Sequence, residues 1–152
     1  MNVVTLQKLD WWLGVSFCLV SNSNASDMLP LRRWSNERYA EHAGRTTLGQ
    51  LLVLYTLADV PVTNDRGPAH FGTLTPIRAV TLFGPEALAL FAARSGRNRA
   101  LWAGIACSPC VNAFNNRQSP CRNNLCMQQI TVDQVFAATC RVYEESKAAQ
   151  RT

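Results

Sequence analysis

A chain of 152 residues is long enough to bury one core and short for two domains. The net charge is +5, from 15 basic against 10 acidic side chains, and 47% of residues are apolar, which is ordinary for a globular protein. The bases are scattered and form no run of the kind a nucleic-acid stripe needs, so nucleic acid is not an expected partner, while an anionic small ligand or an anionic membrane surface fits the charge. All of the basic side chains but Lys8 and Lys147 are Arg, which suits bidentate contact with phosphate or carboxylate.

Residues 1–12 have no clear period, and 1–17 stay unassigned. The apolar run 11–20 is about half the length of a membrane span. Asp10 at its edge and a scarcely basic upstream region favour a buried strand over 14–20 rather than a signal peptide. A cytoplasmic chain follows from that reading, with its six cysteines as reduced thiols or metal ligands rather than a disulfide framework. The polar run 21–27 is a turn. Ser35 can cap a short helix that stops at Gly44, a fitting residue past a helix end.

Thr47 and Gln50 have capping-box spacing, and Leu48, Leu51, Leu52, Tyr55 and Ala58 follow at helical period, predicting a helix over 47–58. Residues 60–63 read as a strand, with Pro61 arguing against a central place in the sheet. A short helix is expected around 68–74, a buried strand at 79–83, a short helix over 87–93 and a last strand at 99–103. After a Cys-rich loop over 107–126, Thr131 and Gln134 form a second capping box. Val132, Val135, Phe136, Thr139 and Tyr143 then make the buried stripe of a final helix. Helices alternating with short β-rich runs predict a parallel α/β sheet.

The stretch the chain is organised around is VTNDRGPAH, 62–70. An extended segment runs into a polar turn at Asn64 and Asp65, and Pro68 suits the start of a helix. Gly67 allows a tight bend or a close ligand approach. Such a strand–turn–helix corner presents backbone N–H groups to a phosphate, with Asp65 as an acceptor for sugar hydroxyls and His70 as a titratable donor. An ordinary strand–helix turn fits the same residues. Glu86 follows Gly84 and Pro85 at a strand's C-terminal end, where open α/β sheets bind ligands, so it is either a hydroxyl acceptor or a plain helix-start acid. The four cysteines Cys107, Cys110, Cys121 and Cys126 have a C-x2-C and C-x4-C spacing compatible with a structural zinc site, and equally with thiols packed in a loop. Cys18 and Cys140 sit on apolar faces as small core residues.

Four stretches together resemble glycosyltransferase family 9, the bacterial heptosyltransferase-like enzymes of lipopolysaccharide assembly. They are 24–39 (NASDMLPLRRWSNERY), 44–48 (GRTTL), 63–85 from TNDRGPAH to LFGP, and the Cys-rich loop running on to ITVD at 130–133. The resemblance implies the donor-binding, Rossmann-like half of a GT-B fold: a parallel sheet with flanking helices over 18–152. It also implies transfer of a sugar, a heptose by family, from a nucleotide diphosphate donor to a lipopolysaccharide-type acceptor, with no catalytic metal and with peripheral contact at the inner membrane. By the same resemblance Asp65, Gly67 and His70 contact the donor, Arg33 reaches the phosphates, and Arg66 stands where the family has a small hydroxyl residue. The acceptor-binding half, with the catalytic base, has no counterpart, and the family's segment between Tyr39 and Gly44 is shorter here. An inactive fragment with an internal deletion is the expectation. The alternative is a non-catalytic nucleotide- or zinc-binding α/β module.

Overall fold

Four short β-rich runs line up as one sheet. The computed structural model describes the backbone of residues 17–20, and residues 47–116 and 118–151. The helix expected from Ser35 to Gly44 lies outside them. In chain order the elements are β1 (Phe17–Val20), α1 (Leu48–Leu57), β2 (Val60–Asn64), α2 (Gly67–Phe71) running into a 3-10 turn (Gly72–Leu74), β3 (Ala79–Phe83), α3 (Leu88–Phe91), β4 (Asn98–Trp102), a 3-10 turn (Ala113–Asn115), α4 (Leu125–Gln128) and α5 (Val132–Ala149). The sheet order is β1-β2-β3-β4 and every pairing is parallel, in register Phe17↔Val60, Val62↔Val80 and Ala79↔Asn98.

Both long helices start where their capping boxes stand. Thr47 Oγ1 accepts from the Gln50 N–H at 3.3 Å, and Gln50 Oε1 accepts from the Thr47 N–H at 2.8 Å. Thr131 and Gln134 repeat the exchange at 3.2 and 2.8 Å. Each box satisfies two of the backbone donors that a helix start leaves unpaired.

The core is built by alternation. Val60 and Val62 of β2 and Val80 and Leu82 of β3 share one sheet face and pack against Ile130, Val135, Ala138 and Val142. The buried stripe of α5 is therefore rotated from the expected one. Val135 and Thr139 are buried as predicted, but Val132, Phe136 and Tyr143 are only half-buried, and Ala138 and Val142 take the inner places. A small residue at 138 lets the helix axis approach the sheet, and the larger rings move to the flanks.

Pro61 is a second correction. The strand that carries it is central, between β1 and β3, not an edge. Pairing with β3 begins at Val62, one residue beyond Pro61, while on the other side Pro61 is in register with Cys18 inside the β1 ladder. The helix expected over 87–93 shrinks to α3, which has no side-chain cap and no buried residue. The helix expected around 68–74 divides into α2 and the 3-10 turn.

Candidate functional site

The C-terminal ends of β2 and β3 form one rim. The β2–β3 ladder continues one residue past Asn64, where the Asp65 N–H donates to the Leu82 carbonyl at 3.0 Å. Asp65 is thereby fixed on the rim beside the end of β3. Its side chain is 9% exposed, and Oδ1 stands 3.8 Å from Nε2 of His70, whose side chain is 50% exposed. That distance is too long for a hydrogen bond and close enough for mutual attraction when the imidazole is protonated. The corner thus pairs a shielded acceptor with an accessible titratable ring.

Between them Arg66 is exposed and extended, at φ −149° and ψ 178°, immediately before α2. Gly67 opens the helix, with Pro68 second rather than first. Gly67 is exposed, and a Cβ there would press on the Phe71 ring at 3.3 Å, a close contact that glycine avoids. Tyr55 of α1 locks the short helix from below. Its ring is 1% exposed, and Oη donates to the Pro68 carbonyl at 3.0 Å. Sequence reasoning missed this tie. The periodic stripe of α1 marks Tyr55 as buried, but nothing in it marks a partner thirteen residues away on another element.

The neighbouring corner, Gly84-Pro85-Glu86, is covered by the Cys-rich loop. Ser108 Oγ donates to the Gly84 carbonyl at 2.7 Å, and the N–H groups of Cys110 and Val111 both donate to the Pro85 carbonyl, at 2.9 and 3.0 Å. A Cβ at Gly84 would stand 2.8 Å from Met127 Sδ, so a larger residue there needs that side chain to move. Glu86 is half-buried just past this clamp. Asp65, Arg66, Gly67 and His70 thus share one corner, and Glu86 follows the adjoining strand end. Arg33 lies outside the described residues.

The four loop cysteines differ from one another. Cys107 and Cys121 are exposed, Cys110 is half-buried and Cys126 is buried. Among the described residues no group of three His, Cys, Asp or Glu side chains is gathered closely enough to hold a metal ion. The N–H groups of Asn123, then Asn124 and Leu125, hold the Cys121 thiol below its ordinary range. Burial pushes the Cys126 thiol up, helped by the neighbouring sulfurs of Cys110 and Cys121. Cys140, half-buried on α5, is also pushed up by burial.

A sequence profile described as glycosyltransferase family 9 (heptosyltransferase) matches residues 14–119. Lipooligosaccharide heptosyltransferase 2 of Campylobacter jejuni serotype O:6 is 24% identical over 112 residues, which are 73% of this chain and 34% of that protein. Its counterpart from serotype O:2 is 22% identical over the same shares. The chain therefore spans about a third of the length of these curated relatives. The crystal structure of a family 9 glycosyl transferase from Veillonella parvula superposes with a TM-score of 0.71 at 18% identity, covering 92% of this chain and 40% of that one. That likeness bears on the fold, and it agrees with the parallel α/β arrangement seen here.

Proposed function

Since the chain belongs to glycosyltransferase family 9, we propose that it forms the donor side of a sugar transferase. The carrying observation is the corner on the sheet's C-terminal rim, where a shielded carboxylate, an exposed glycine and an exposed imidazole come together. Ligands of open α/β sheets bind outside these strand ends.

In this reading a nucleoside diphosphate sugar lies over β2 and β3. Asp65 accepts from sugar hydroxyls and orients the ring, which lowers the barrier by fixing the reacting carbon. As the glycosidic bond to phosphate breaks, negative charge grows on the leaving diphosphate. The backbone at Gly67, the imidazole of His70 and the guanidinium of Arg66 stabilise it. Glu86 accepts from a ribose or sugar hydroxyl at the adjoining strand end, and Arg33 adds a second cation. The acceptor hydroxyl of a lipopolysaccharide-type molecule loses its proton to a base outside this chain's matched region. The sugar, a heptose by the names of the relatives, is what passes across. Among the described residues no helix is long and apolar enough to cross a membrane. The +5 charge supports peripheral contact with an anionic surface at the inner face of the cell membrane.

Because the chain spans about a third of its curated relatives, the 152 residues alone bind donor without transferring sugar. Calorimetry with a panel of nucleoside diphosphate sugars tests the site. Wild-type binding with a roughly 10–100-fold loss in Asp65→Ala is expected, the size of one charge-assisted hydrogen bond. Unchanged affinity in the variant would remove this corner from the site.

A further inference from the structure

The donor corner leaves the thiols beside it unused. One hydroxyl joins two of their residues, touching the thiol of one and the backbone N–H of the other. Ser119 Oγ lies 3.0 Å from Cys110 Sγ and accepts from the Cys121 N–H at 3.1 Å. Cys110 is held from both sides of its backbone: its N–H donates to the Pro85 carbonyl at 2.9 Å, and its carbonyl accepts from Asn115 Nδ2 at 2.8 Å. Cys121 is exposed, with its sulfur 3.3 Å from Asn123 Oδ1. Cys126 is buried against Gly84, 3.6 Å from where a Cβ would stand. The cluster therefore holds three distinct thiols: one accessible, one half-shielded next to it, and one out of reach of solvent.

We propose that Cys121 and Cys110 are a redox pair, in which a hydroperoxide oxidises Cys121 and the product condenses with Cys110 to close a disulfide across the loop. The Cys121 thiolate attacks a peroxide oxygen. The O–O bond breaks as the S–O bond forms, and hydroxide leaves to become water on taking a proton. Cys121 sulfur gives up two electrons and the peroxide is reduced. Cys110 then loses its thiol proton, its sulfur displaces hydroxide from the Cys121 sulfenic acid, and a second water leaves. Two thiols and one hydroperoxide become one disulfide and two waters. The accessible thiol is also the more acidic one, since backbone N–H groups stabilise its thiolate, while burial disfavours that of Cys126. Closing the bond draws in the segment that clamps Gly84 and Pro85, next to the donor corner. The proposal stands on the thiols alone and does not need the donor reading.

The test uses the reduced full chain and one equivalent of hydrogen peroxide near neutral pH. Free thiols are then blocked with N-ethylmaleimide and the protein is digested with trypsin. Cleavage after Arg117 and Arg122 isolates Cys121 in a peptide of its own, residues 118–122, apart from the peptides carrying Cys110 and Cys126. The expected result is a 118–122 peptide joined to peptide 100–117 with two of the six thiols lost, and fragment-ion sequencing should find the link on Cys110 and N-ethylmaleimide on Cys107. Cys107→Ser and Cys126→Ser should give the same link. In Cys110→Ser the reaction should stop at a sulfenic acid on Cys121 that dimedone traps. The sequenced wild-type linked peptide decides the matter even if a variant fails to fold. Both thiols alkylated after treatment, a link from Cys121 to Cys107 or to Cys126, or one equivalent of tightly held zinc in the purified protein would each overturn the proposal.

Discussion

Asp65 keeps its carboxylate nearly covered while the His70 ring beside it stays half in solvent. A covered acceptor discriminates more sharply than an exposed one, because a ligand that fails to donate to it leaves a desolvated charge behind. Asp65→Asn should therefore weaken donor binding almost as much as Asp65→Ala, since the lost charge and not the lost volume does the damage. Titration of both variants with the best nucleoside diphosphate sugar checks this. The thiols allow a second prediction at this scale. Iodoacetamide at neutral pH should label Cys121 well ahead of Cys126 and Cys140, as the first is held below the ordinary thiol range and the others above it. Raising the pH toward 9 should narrow the gap. Peptide-resolved labelling rates measure it.

The elements divide into those specified locally and those specified by packing. Strand β3 was legible to the residue, because AVTLF is an unbroken apolar run that ends at Gly84 and Pro85. The starts of α1 and α5 were legible because a capping box is a local device of four residues. Thr131→Ala should cost about 1 kcal/mol by removing one cap bond, read as a shift in denaturant midpoint. What faced inward on α5 was only partly legible, since helical period pointed to Phe136 and Tyr143 whereas Ala138 and Val142 take the inner places. Val135 lies at the centre of that contact, fully buried, and Val135→Ala should cost about 2 kcal/mol from lost transfer and a residual cavity. The far end of α5 is tied down by charge. Lys147 Nζ donates to Asp59 Oδ1 at 2.9 Å and lies 5.2 Å from the centre of the Tyr143 ring. Asp59 raises the lysine's pKa first through that bond and then through its charge. The folded value lies above the unfolded one, so this tie is complete below a lysine's ordinary range and is lost as pH rises past the raised value. Asp59→Ala should abolish that part of the alkaline loss of stability.

At the scale of the whole molecule, the family and the fold were legible from the joint order of four motifs, although no single one was decisive. That Asp65, Arg66, Gly67 and His70 share one strand-to-helix corner was legible too. Their support was not: Tyr55 beneath α2 and the Ser108–Val111 clamp over Gly84 and Pro85 join positions far apart in the chain. Pro61 misled because its rule points to an edge, whereas its strand lies between β1 and β3. One global prediction follows from length. The purified chain should show donor binding and no sugar transfer to a lipopolysaccharide-type acceptor, and turnover above background would refute it. The two hydrogen bonds that the Pro85 carbonyl accepts carry a consequence of another kind. Amide hydrogens in an irregular loop ordinarily trade with deuterium within seconds, but those of Cys110 and Val111 are both bound to the Pro85 carbonyl, two residues past β3. They should therefore exchange on the schedule of the central strands, so two loop amides would report the opening free energy of the sheet beneath them.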